Sequence, residues 1–263
     1  MAVTGFGPVI QLPTPALRDV GLLLDNIPRP GIDSRWPLGV KFQPFDFTAL
    51  LFNDSDCAPT NLPGTNRTFP TVVEQPAFSI WDAVKCSTLW MTPQELEDNV
   101  RYRWPNLISY AFAQELLTSN ASGGHSLQDD DVDLGASASV QVALAEAEEF
   151  LALNLKNSVG LVHMSPSLLA YAVANNHVFR RGNTYYTPGG HIVIADAGYQ
   201  VAETTTSVMY VTGPVFYAMT DVESLGAPYS NLDRTHNDYR ALQMAYGILL
   251  FDPALVRSTT VTK

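Results

Sequence analysis

His163, Ser165, Ser167, His191 and Asp196 are the side chains of this sequence whose types and spacing could do chemistry. Ser165 or Ser167 can be drawn with His163 and Asp196 as a hydrolytic triad, and His163, His191 and Asp196 as ligands of a metal ion. Their surroundings in the sequence speak against both. The Gly-x-Ser-x-Gly elbow of such a nucleophile is absent, and Ser165 stands directly before Pro166, where its hydroxyl suits a helix cap. The histidines show neither HxH nor HExxH spacing. Pro188-Gly-Gly190 leads into a strand, so it lacks the helix N-terminus that makes a phosphate cradle and reads as a turn. Asp129 to Asp133 reads as a solvated acidic loop rather than a cation site. Cys57 and Cys86 match no zinc spacing and are too few for a disulfide framework, so they are read as reduced thiols. No catalytic, cofactor-binding or metal-ligating residue is expected, and no cofactor.

The elements that hold these residues can be read around them. Gly160 to Asn176 spells strand, capped helix and stop, with Ser165 as cap, Pro166 at the first helical position and Asn175-Asn176 at the end. A hairpin around Arg181-Gly-Asn183 and a strand ending near Asp196 follow, giving a compact α/β unit. Upstream, a helix is predicted from about Ala138 to Lys156, with Val140, Leu144, Ala147, Leu151 and Leu155 on one stripe facing a sheet. Thr92-Pro-Gln-Glu95 starts another helix with a capping box, carrying Leu96, Val100, Leu107, Ala111 and Leu116. Pro105 inside that pattern predicts a kink or break near Trp104, because proline removes a backbone hydrogen bond. Residues 119–137 read as a polar loop and subdomain boundary. Val208 to Val211 and Val215 to Ala218 read as strands around Thr212-Gly-Pro214, and Ala241 to Phe251 as a further strand. Residues 1–35 read as an arm that orders only against something else, and 36–77 as a long hairpin with a polar tip at Asn53 to Asn66.

The bulk numbers narrow the function classes. Hydrophobic residues make up 46% of the 263 positions and charged residues 16%, which describes an ordered protein with a substantial core and a prior for assembly. Fifteen basic against 26 acidic residues give a net charge of -11, and the basic residues cluster no further than Arg180-Arg181. Sequence-specific nucleic-acid binding needs a concentrated basic face and is not expected. The N-terminus shows no basic stretch followed by an apolar run, and no segment approaches the ~20 apolar residues of a membrane span, so a cytoplasmic start and no membrane are expected. Asn53-Asp-Ser55, Asn66-Arg-Thr68 and Asn120-Ala-Ser122 fit the glycosylation pattern and are read as chance triplets.

The order of segments resembles the major capsid proteins of tailed bacteriophages, whose HK97-like fold is shared with encapsulin shells. The resemblance rests on Trp36-Pro-Leu-Gly-Val40, Pro76-Ala-Phe-Ser-Ile-Trp-Asp-Ala-Val-Lys-Cys86 and the long helix ending in Ala113-Gln-Glu-Leu116. Downstream it rests on Val162-His-Met-Ser-Pro166, Gly189-Gly-His-Ile-Val193, Tyr210-Val-Thr-Gly-Pro214 and Arg234-Thr-His-Asn237. It implies an α+β HK97-like capsid fold, laid out as an N-terminal arm (1–35), an extended hairpin or E-loop (36–77), a peripheral domain beginning with a spine helix (78–132), an axial domain (133–200) and a return to the peripheral domain (201–263). It further implies self-assembly into pentamers and hexamers of an icosahedral phage head, assembled in the host cytoplasm and enclosing double-stranded DNA. Portal and decoration or scaffolding proteins would be its partners. Some members cross-link through a hairpin lysine, but here Lys41 lies only at the hairpin base, so no covalent link is expected. The alternatives are an encapsulin-like compartment or, in a different class, a small α/β enzyme or ligand-binding domain suggested by 160–196.

Overall fold

The computed structural model describes residues 21–29, 39–42, 44, 72–87, 92–137, 139–156, 158–199, 206–225 and 238–262. Cys57, the hairpin tip, the start of the arm and the Arg234 to Asn237 motif lie outside them.

Two sheets share one interior. The larger has seven strands in the order β4-β13-β9-β5-β8-β7-β6, formed by Val132–Ser137, Arg257–Thr262, Thr206–Thr212, Leu161–His163, Ile192–Ile194, Thr184–Tyr186 and Phe179–Arg181. Its β5 and β8 run parallel, joined through helix α4 (Pro166–Ala174) and the β6–β7 hairpin, as the sequence of the α/β unit predicts. The period of two along each strand sorts the side chains between two cores. Val162, Val193, Met209 and Val211 point to one face, where they meet Leu168, Leu169 and Ala172 of α4 and the stripe Val140, Leu144, Ala147, Leu151 and Leu155 of α3 (Val140–Leu155). Leu161, Ile194 and Tyr210 point to the other face and join the core around the long helix α2 (Pro93–Thr118).

The second sheet is built on β12 (Asp238–Leu250), the strand expected from Ala241 to Phe251. On one side it pairs with all ten residues of β3 (Phe78–Ser87). On the other it pairs with β10 (Phe216–Met219) and then β11 (Glu223–Leu225), whose registers differ by one residue, so a bulge separates two halves of what is nearly one strand. Strands β9 and β10 therefore do not pair with each other. Thr212-Gly-Pro214 carries the chain from one sheet to the next, where the sequence pattern alone suggests a hairpin.

Helix α2 lies against β3 and β12. Thr92 and Glu95 form the expected capping box, and Glu95 accepts from the Thr92 backbone N–H at 2.7 Å. The helix runs unbroken through Pro105, which corrects the predicted break. Pro105 sits on the exposed side, where the missing N–H and the displaced carbonyl of the preceding turn remain open to water. The buried stripe is Leu96, Val100, Trp104, Phe112 and Leu116, with Leu107 exposed rather than inward as expected. Gly247 of β12 makes this packing possible. A Cβ there would lie 2.6 Å from the Phe112 ring and 2.8 Å from the Phe78 ring, which meet edge to face at 5.1 Å.

Three further expectations need correction. Residues 119–137 contain a strand, β4, held in parallel register by β13. The acidic run is structured: Asp129 accepts from Ser119 and Ser126, Asp130 from the Ser126 N–H, and Asp131 from Ser258. Part of the arm packs on its own chain, since the single-turn helix α1 (Leu23–Asn26) buries Leu23 and Ile27 in the α2 core. At the hairpin root, β1 (Val40–Phe42) pairs antiparallel with β2 (Val73–Gln75), as the hairpin reading requires.

Candidate functional site: a buried polar junction

Of the residues singled out for chemistry, His163 and Asp196 lie where α1, α2 and the larger sheet meet, whereas Ser165 sits at the start of α4 and His191 beside the start of β5 on the α3 side, and each is held in a structural contact. His163 is fully buried. It stands opposite Tyr210 in the β5–β9 register, one step diagonal from Thr212 on the same face. Thr212 Oγ1 donates to the Gly213 carbonyl at 2.9 Å, so it accepts from His163 Nε2 at 2.9 Å. That assigns the imidazole proton to Nε2 and leaves Nδ1 to accept from the Tyr199 hydroxyl at 3.0 Å. Burial holds the His163 pKa down at about 3 and, with the charge of Asp196 adding to it, pushes the Tyr199 hydroxyl well above its usual range. Both groups stay neutral at physiological pH.

Asp196 is 1% exposed and has a full set of donors. Its Oδ2 accepts from Ser109 Oγ of α2 at 2.7 Å and from the Leu23 N–H of α1 at 3.3 Å, and Oδ1 accepts from the Gly198 N–H at 3.2 Å. One carboxylate thus ties the arm, the long helix and the end of the α/β unit. Gly198 belongs to the 3-10 turn Ala197–Tyr199 and presses on α2: a Cβ there would come within 2.7 Å of the Gln114 nitrogen and the Tyr110 oxygen. Only glycine permits that approach.

Ser165 caps α4, accepting from the Leu168 N–H at 3.3 Å, and its hydroxyl lies 3.1 Å from Ser167 Oγ. His191 Nδ1 accepts from the Gly160 N–H at 3.0 Å, which anchors the start of β5. Burial lowers the His191 pKa, while the neighbouring Glu148 carboxylate opposes the shift. Pro188-Gly-Gly190 is a turn, closed by the Thr187 N–H on the His191 carbonyl at 2.9 Å, with Gly190 at φ +88. None of these contacts joins a serine to His163 or His163 to Asp196. The lone pair of His163 that a general base would use is spent on Tyr199. Among the described residues no group of three or more His, Cys, Asp or Glu could hold a metal ion, and no helix is long and apolar enough to cross a membrane.

No family model and no curated protein matches the chain. Solved structures do, from end to end. The capsid of an empty GTA particle superposes with a TM-score of 0.62 at 10% identity, covering 98% of this chain and 96% of that one. An encapsulin of Synechococcus elongatus PCC 7942 gives 0.58 at 11%, covering 97% and 93%. Mycobacterium phage Adephagia gives 0.58 at 12%, covering 94% and 91%. The chain has the HK97-like capsid fold. Within it, the junction of His163 and Asp196 is the place where the arm, the long helix and the larger sheet of this HK97-like chain are fastened together. Sequence reasoning named both residues and missed Ser109, Tyr199 and Thr212. The signal for Thr212 is its diagonal position opposite His163, visible only once β5 and β9 are paired.

Proposed function

We propose that this chain is a structural shell protein whose copies associate as pentamers and hexamers into an icosahedral head of the tailed-phage type, enclosing double-stranded DNA without sequence-specific contacts. The observation that supports this most is the end-to-end superposition on shell proteins, 98% of this chain on 96% of a capsid chain. The acidic balance of -11 suits a wall next to packed nucleic acid, which it would not bind tightly. The occupied partners of His163, Ser165 and Asp196 support a chain without an active site at this junction. In this reading the arm, hairpin, peripheral, axial and return segments keep the bounds given by the sequence, the hairpin beyond Phe42 lies on a neighbouring copy, and portal and decoration or scaffolding proteins complete the particle in the host cytoplasm.

The match to an encapsulin over 97% of the chain favours a second reading, an encapsulin-like compartment shell. Negative-stain electron microscopy of the purified chain tests the shell, with closed particles expected and small oligomers contradicting it. Nuclease-protected DNA in particles recovered from the native source separates a phage head from a compartment.

A further inference from the structure

One side chain ties the hairpin root to the loop after α2 in the manner of a strand pairing. Gln75, 5% exposed, accepts from the His125 N–H through Oε1 at 3.2 Å and donates through Nε2 to the His125 carbonyl at 3.4 Å. The two residues are fifty positions apart, one on the hairpin and one in the loop that closes α2. That loop is stiff. Glu115 accepts from the N–H groups of Ala121 and Ser122 at 2.9 and 2.8 Å, and His125 Nδ1 pairs with Asp130 at 2.9 Å. Gly124 has no space for a side chain, since a Cβ would lie 2.7 Å from Pro76 Cδ and 2.8 Å from Gln75 Nε2. Gly39, where the other hairpin arm enters, holds φ +101, and a Cβ there would lie 3.1 Å from the Gln75 carbonyl oxygen. Beside this contact a cleft of about 540 Å³ separates Val40, Lys41 and Glu74 from Gly123 and His125. The root is therefore tied to the loop after α2 through this amide pair, with open space beside it into which the hairpin would swing if the pair were lost.

We infer that Gln75 and Gly124 form a joint that fixes the angle at which the hairpin leaves the body. The second support of the root is apolar, Val40 and Phe42 on Ile248 and Leu250, and allows sliding, whereas a paired amide fixes direction. Through the shell reading, on which this consequence rests, a fixed hairpin angle sets the curvature between neighbouring copies and keeps particles to one size.

The test uses the full chain with both native cysteines replaced by serine and spin labels at Val72→Cys and Asn120→Cys, which lie on the two sides of the joint. The parent should give one narrow distance distribution, and Gln75→Ala and Gly124→Ala a shifted or broadened one while the melting temperature changes little. Should Gln75→Ala fail to fold, Gln75→Glu keeps the length and one acceptor and is expected to broaden the distribution less. A distribution in any folded variant that superimposes on the parent overturns the joint. Particles of unlabelled Gln75→Ala should show several diameters in micrographs where the wild type shows one, and a single unchanged diameter counts against the inference. If the wild type forms no particles, the shell reading fails, and the distance measurement still decides the joint.

Discussion

The two larger sheets of this molecule face opposite conditions. The seven-stranded sheet is covered on both faces, by α3 and α4 on one and by the α2 core on the other, so its central strands read as near-continuous apolar runs such as Ile192 to Ala195. Among the described residues, the sheet built on β12 is covered on one face by α2 and on the other where Val40 and Phe42 reach Ile248 and Leu250. Farther along that outer face Trp81 is 65% exposed, beside Met244 in register, with Tyr246 at 38%. A large, exposed aromatic side chain on a strand pair is the kind of surface that an interface covers. One half is finished by its own chain, and the other leaves apolar surface that, in the shell reading, a second copy covers.

That contrast can be broken most forcefully at the shared interior. Phe112→Ala opens a cavity between Phe78, Tyr217 and Gly247 and is expected to cost about 4 kcal/mol in urea unfolding. A loss below about 1 kcal/mol would mean that α2 is not the keystone of the interior.

The polar junction makes the stability of the interior depend on pH. The His163 pKa is about 3 in the fold against 6.5 in the unfolded chain, so the unfolded state binds the proton first. The stability contribution of neutral His163 is complete above pH 6.5 and is lost progressively as pH falls toward 3, at up to about 1.4 kcal/mol per pH unit. His163→Gln should flatten the pH dependence between those limits relative to wild type, and an identical slope in the variant would refute the buried neutral state. Ser165→Ala should cost about 1 kcal/mol through the lost cap of α4, measured as a lower urea midpoint, with Ser165→Asp restoring it.

The smallest stability effect belongs to the open face, where Trp81→Glu should change subunit stability by no more than about 0.5 kcal/mol while reducing particle yield. A large drop in melting temperature with normal particles would reverse the assignment of that face.

Local chemistry made much of this legible in the sequence. Thr92-Pro-Gln-Glu95 and Ser165-Pro166 mark helix starts because caps satisfy orphan N–H groups within three residues, and the α3 stripe follows from period alone. Strand β4 was not legible: Val132 is exposed, Asp133 and Gly135 interrupt the pattern, and its order comes from parallel pairing with β13 far along the chain. Pro105 misleads because its cost depends on which side of α2 it faces, and that side is set by Phe112 and Trp104 meeting β3 and β12. The site residues were visible as types, but their roles follow from which strands become neighbours. His163 is a structural histidine because Tyr199 and Thr212 reach it from elements that no local motif connects to it.

In the shell reading, other copies of this chain complete the exposed half. Sedimentation velocity on the purified full-length protein tests it most directly, because a closed shell of 28.7 kDa subunits runs as one boundary at megadalton mass whereas a self-sufficient domain runs as a monomer or small oligomer. One megadalton boundary is expected, and a stable monomer at micromolar concentration with Trp81 still exposed would overturn the shell reading.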